Sequence, residues 1–123
     1  MIRDFTDLLV WQKAHNLVVR IYKMVANFPS VEKYGLSDQL RRASVSITSN
    51  IAEGFGRQGN KEKIQFFYLA MGSLTEVRNQ IYIARDVGYL HSDNLLDSLL
   101  MEMIEVQKML YGLIKVQKLK SNV

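Results

Sequence analysis

The stretch "ASVSITSNIAEGFGRQG", residues 43–59, decides between two folds. Gly54, Gly56 and Gly59 have the spacing G-x-G-x-x-G, and Ser44 to Thr48 alternate polar and apolar as a half-buried strand would. Taken that way, the stretch is the phosphate-cradling turn of a dinucleotide-binding domain, with Glu76 as its acidic residue about 20 positions on. At helical spacing, however, Leu36, Leu40, Ala43, Ile47 and Ile51 fall within roughly 80° of one another. A strand would put Leu40 and Ile47 on opposite faces. The helical reading explains more residues over a longer window. A dinucleotide site also needs a second parallel strand ending in the acid, whereas Glu76 lies inside another periodic stretch and "VGYLHS" (87–92) is too short to supply one. The sequence therefore predicts a helix over 36–53, ended by Gly54, Gly56 and Gly59, and no nicotinamide or other cofactor.

The same periodicity extends outward. Val10, Ala14, Leu17, Val18, Ile21, Tyr22 and Val25 predict a helix over 8–28, stopped by Pro29 and Ser30. Ile64, Phe67, Met71, Leu74, Val77, Ile81 and Ala84 predict one over 61–87, with Asn60 as N-cap and Gly88 as C-terminal cap. The last spans 93–119 behind Ser92, its acids early and its lysines late, as the helix dipole favours. Four long helices with short loops make an all-α, antiparallel, up-down-up-down four-helix bundle forming a single domain over 1–123. The apolar residues of the fourth helix cover roughly 240° of its circumference, well beyond the ~100° stripe that a monomer's surface helix needs. The run "IQFFYLAM" gives the third helix a similar excess. A second buried face implies a homo-oligomer.

Composition sets the remaining bounds. With 123 residues, no cysteine, one proline and a net charge of +4, the chain excludes disulfides and disfavours a many-turned β protein. "MIRDFTD" carries no apolar secretory region and no apolar run is long enough to span a bilayer, so a cytoplasmic location and no membrane partner are expected. No metal pattern is present: neither His15 nor His91 completes a Glu-x-x-His pair, and no zinc spacing occurs.

No catalytic set emerges. "RDVGYLH" places Arg85 six residues before His91, a pairing that resembles the motif of HEPN-type ribonucleases, but Gly88 breaks the helix between them. Charge says more. In an up-down bundle the starts of the first and third helices meet the ends of the second and fourth. That end gathers Arg3, Arg57, Lys61, Lys63, Lys115, Lys118 and Lys120 against Asp4, Asp7, Glu53 and Glu62, an excess of three positive charges. Clustered bases are the footprint of phosphate-backbone binding, so Arg57, Lys61, Lys63, Lys115, Lys118 and Lys120 are the candidate nucleic-acid contacts. On the second helix Gln39, Arg42, Ser46, Ser49 and Glu53, beside Asn50, form a polar strip suited to a hydrogen-bonded helix contact.

The segments "DLLVWQKAHNLVVRIY", "FPSVEKYGLSDQLRRASVSITSNIAEGFGR" and "FFYLAMGSLTEVRNQIYIARDVGYL" resemble the four-helix-bundle family of 23S rRNA intervening-sequence proteins. That family is related to the accessory variability protein of diversity-generating retroelements. The resemblance covers most of residues 7–90 and is most specific over 34–57, where Arg41, Arg42, Ser46, Ser49, Asn50, Glu53, Gly54 and Gly56 carry the motif. Thr48 stands where the motif usually has proline. The resemblance implies a ring-shaped homopentamer and nucleic-acid binding through basic surfaces, with RNA, DNA, a ribonucleoprotein or a reverse transcriptase as partner. It supplies no catalytic residues. The reading is thus a non-enzymatic oligomeric bundle that binds nucleic acid or a ribonucleoprotein. The alternatives are a protein-interaction scaffold and an RNA-cleaving bundle using Arg85 and His91.

Overall fold

Leu40, Ala43, Ile47 and Ile51 are all buried on one side of a single helix. The computed structural model describes residues 1–121: α1 (Leu9–Val25), α2 (Leu36–Gly56), α3 (Asn60–Asp86) and α4 (Asp93–Ser121), with 3-10 turns at Phe5–Asp7 and Ser30–Glu32. No strand occurs among the described residues.

Cross-helix pairs fix the topology. Lys13 of α1 pairs with Glu105 of α4, and Arg20 with Glu102. Ser46 of α2 meets Ser73 of α3, while Lys63 meets Gly54. Rising numbers on one helix meet falling numbers on the next, so neighbours are antiparallel. Each helix packs on its sequence neighbours, α4 closes against α1, and the diagonal pairs make no close backbone approach. The core between them holds Leu17, Ile21, Leu40, Ile47, Ile51, Ile81, Leu99, Val106 and Leu110. The helices differ in length: α1 has 17 residues and α4 has 29. With Lys13 level with Glu105, the last turns of α4 run past the start of α1, and α3 is the only helix beside them.

The most extensive contact is α2 with α3, and small residues create it. Ala43 and Ala70 are buried, the Ser46 and Ser73 hydroxyls lie 2.8 Å apart, and Asn50 donates to both the carbonyl and the hydroxyl of Ser46. Closest of all is Gly54, where an added Cβ would stand 2.6 Å from Cε1 of Phe67.

Several ends differ from the sequence expectation. α2 continues to Gly56, so Gly54 and Gly56 are helical and only Gly59 lies in the connection, as the N-cap of α3. Asn60 is the first residue of α3 and its side chain caps nothing. α1 stops at Val25, before a run of tight turns through Ala26, Asn27 and Phe28; proline at 29 disfavours a helical Phe28. Gly88 ends α3 at φ +86°, with its N–H donating to Arg85 O and the Tyr89 N–H to Ala84 O, a Schellman closure. Ser92 Oγ accepts from Leu95 N–H at 3.3 Å, capping α4.

The end opposite the basic one is latched by one carboxylate. Glu32 Oε1 accepts from Leu36 N–H at 3.2 Å, at the start of α2, and Oε2 accepts from the Tyr89 hydroxyl at 2.7 Å, in the α3–α4 loop. Tyr89 also packs on Phe28. At Gly35 an added Cβ would stand 2.7 Å from Glu32 Oε1, so glycine there admits the carboxylate.

Two outcomes follow. Overpacking costs about 1–3 kcal/mol, more than the ~1 kcal/mol of helix propensity that alanine returns, so Gly54→Ala lowers stability in urea titrations. Gly56→Ala, whose Cβ would meet nothing within 4 Å, leaves it unchanged or slightly raised. The hydrogen bond from Tyr89 holds Glu32 below the usual carboxylate value, and the same bond raises Tyr89. The Glu32 contribution is therefore complete above its unfolded pKa of about 4.3 and is lost as pH falls through the lower folded value. The Tyr89 contribution is complete below about 10 and lost as pH rises through the higher folded value. Tyr89→Phe flattens both limbs of a stability-versus-pH curve.

Candidate nucleic-acid interface

The antiparallel order brings the start of α3 and the ends of α2 and α4 together, and the predicted cations with them. They are not equivalent. Lys63 reaches back from α3 to the end of α2, its Nζ 2.7 Å from Phe55 O and 3.3 Å from Gly54 O. These are carbonyls of the last turn of α2, of which Gly54 O also accepts from the Arg57 N–H, and the ammonium caps the helix end. Burial, and secondly the charge of Lys120, push Lys63 below the ordinary lysine value. Arg57 is also engaged: Nη2 lies 3.0 Å from Glu53 Oε2, and the guanidinium sits 4.6 Å from the ring centre of Phe66. Lys118 rests 5.4 Å from the ring centre of Tyr68. Lys61, Lys115 and Lys120 are exposed and make no ion pair among the described residues.

The acids of this end are largely occupied. Asp7 Oδ2 accepts from the backbone N–H of Arg3 and of Asp4, and Asp4 Oδ2 accepts from the Thr6 hydroxyl at 2.6 Å. The Thr6 hydroxyl keeps Asp4 below its usual pKa. Glu53 is held by Arg57. Local hydrogen bonds thus fix three of the four predicted acids in place without neutralising them, Glu62 is exposed beside Lys61 and Lys63, and the end keeps its formal excess of positive charge.

The remaining motif residues divide by place. Ser46 makes the hydrogen-bonded contact with α3 expected of the polar strip, Asn50 supports it from its own helix, and Ser49 is exposed in a shallow groove with Tyr22, Arg42 and Val45. Arg42 Nε lies 2.9 Å from Asp38 Oδ2 on its own helix, and Arg41 donates to Lys33 O at 3.1 Å, tying the preceding loop to α2. Glu53 serves Arg57, Gly54 packs on Phe67, and Gly56 ends α2 in open space. Arg85 binds the carboxylate of Asp86 through two nitrogens and lies over Tyr82, while His91 is exposed in the loop beyond Gly88. His15 stacks on Trp11. No cluster of potential metal ligands occurs among the described residues. The aromatic seats of the cations, Phe66 and Tyr68, escaped the sequence reading; their signal was the "FFY" run, which counted there only as excess apolar surface.

A family model described as 23S rRNA-intervening sequence protein matches residues 6–112. Among solved structures, one similar chain is a protein of unknown function from the S23 ribosomal protein family of Bacteroides thetaiotaomicron. It is 24% identical, the match covers 87% of this chain and 99% of that one, and the TM-score is 0.77. No curated protein matches.

Lys63→Met keeps the packing of the stem and removes the cap. Charged hydrogen bonds of this kind contribute about 1–2 kcal/mol, so the variant loses stability on that order in denaturant titrations. Lys61→Ala and Lys115→Ala, which touch no such feature, stay within about 0.5 kcal/mol of the parent.

Proposed function

The chain belongs to the family of 23S rRNA-intervening sequence proteins, and from that premise we propose a non-enzymatic oligomer that binds nucleic acid through its basic end. The observation that carries the reading is the contrast between spent acids and unspent lysines. Asp4, Asp7 and Glu53 are engaged locally, Lys61, Lys115 and Lys120 are not, and the charge of Lys120 already presses on Lys63. A phosphate arriving there replaces lysine–lysine repulsion by attraction. The engagement of Arg85 by Asp86 favours this reading over RNA cleavage by Arg85 and His91. A ribonucleoprotein or a reverse transcriptase fits the same surface through its nucleic acid. No described helix is long and apolar enough to cross a membrane, and a cytoplasmic location accords with the proposal.

Assembly belongs to the same proposal, as a closed ring, pentameric by family resemblance. Support comes from apolar side chains that α3 and α4 leave exposed: Leu69, Ile83 and Val87 on one, Met101 and Leu119 on the other. Each helix also carries an exposed glycine, Gly72 and Gly112, where an added Cβ would meet nothing within 4 Å. An exposed glycine inside a helix costs about 1 kcal/mol relative to alanine and earns nothing within one chain. A ring with all its basic ends on one side multiplies the field. The same apolar faces favour the second reading, a protein-interaction scaffold.

The two readings separate by salt. If a ring neutralises about six phosphates, affinity for random RNA or DNA falls with a log–log slope near −4 to −5, and Lys115→Ala flattens it. No detectable binding at about 50 mM salt leaves the scaffold. Leu69→Glu and Met101→Glu place a charge in a buried contact, so either lowers the mass measured by light scattering; a parent already of monomer mass ends the ring proposal.

A further inference from the structure

On α4, Ile104, Tyr111 and Lys118 recur every seven residues and so fall along one line of the helix. Ile104 lines a furrow against α3, beside Thr75 and Arg78. Lys118 reaches the ring of Tyr68 on α3. Tyr111, midway between them, falls on the same line of α4, and Tyr68 lies seven residues before Thr75 on the matching line of α3, beyond the end of that furrow. Both tyrosines are largely in the open, Tyr68 at 44% and Tyr111 at 55% exposure, and neither hydroxyl has a hydrogen-bond partner among the described residues. They contribute little to the core, and the furrow holds Arg78 but no acid. Two exposed rings and Lys118 therefore follow the seam between α3 and α4 towards the basic end.

We propose that this α3–α4 seam binds a single-stranded polynucleotide, stacking unpaired bases on Tyr68 and Tyr111 while Lys115 and Lys118 hold its phosphates. The inference rests on the nucleic-acid reading above and adds the class of strand. A duplex hides its base faces in its own stack and offers such rings nothing, whereas an unpaired base has a free π-face whatever its identity. With Lys118 over one face of Tyr68, the ring is steadied and its other face is left for a base. Tyr111 and Lys118 lie about 10 Å apart along α4, so stacking and phosphate contacts follow one strand along the seam.

The test is fluorescence anisotropy with the intact protein and a labelled mixed-sequence RNA of about 20 nucleotides, alone or annealed to its complement. The single strand binds more tightly than the duplex. Tyr68→Ala and Tyr111→Ala each weaken the single strand about tenfold, leave the duplex unchanged, and leave the melting temperature and light-scattering mass as in the parent. Tyr68→Phe keeps the affinity. Equal affinity for both forms, parallel loss of both in the alanine variants, or a change of mass in Tyr68→Ala overturns the stacking assignment. If binding stays steeply salt-dependent while the tyrosine variants bind like the parent, stacking alone fails. If the parent binds neither form at low salt, the basic-end reading fails with it.

Discussion

The close approach of α2 to α3 is the constraint on which the other features depend. Packed helices stand about 8–10 Å apart according to the side chains at their contact; here the contact is made by small ones, Gly54, Ala43, Ala70 and the serine pair. Because Gly54 has no side chain, the Phe67 ring occupies the space where one would be. Because the backbones are near, the Lys63 side chain can reach the carbonyls of Gly54 and Phe55 and close α2 from outside. The same nearness sets Arg57 over Phe66. Widening the α2–α3 gap by one methyl group would therefore be felt by the buried ring, the helix end and the arrangement of charges at once.

The two ends of the bundle are finished by opposite means. At one, a single carboxylate serves two loops, with Glu32 accepting from Leu36 and from Tyr89, and a Schellman turn at Gly88 closes α3. At the other, the acids are drawn into a 3-10 turn and a helix-end pair, and the lysines remain outward. Carboxylates that accept local hydrogen bonds still carry charge, but they are held low and close to the backbone. The lysines are borne on long stems that reach into solvent.

Helical period was legible because a stripe such as Leu40, Ala43, Ile47 and Ile51 constrains about three turns at once. Glycine was not. Gly54 was expected to end a helix, yet it lies inside one, because the reason for glycine there is a ring 13 positions later, and no local pattern records a contact across helices. The same limit applies to the cations. Arg57, Lys61, Lys63, Lys115, Lys118 and Lys120 are alike in sequence, and only the packing separates a cap from an exposed lysine. The expected contact of the polar strip was met by Ser46, which Asn50 holds from its own helix, but not by Ser49, which lies less than one turn away on the outer side of α2. A strip read from a helical wheel has a width, and the partner helix covers only part of it.

The unequal helix lengths have a consequence for how α4 behaves. Its last turns overhang the start of α1 and lean on α3 alone, with Ile114 the last side chain fully out of water. Backbone with one neighbour opens more readily than backbone with two, and it does so without disturbing the core. Lys115, Lys118 and Lys120 all lie on this segment, so a ligand that grips them also chooses the closed form over the frayed one. Part of the binding free energy is then spent on ordering the helix end, and mutations that stiffen the overhang would tighten binding without touching the ligand.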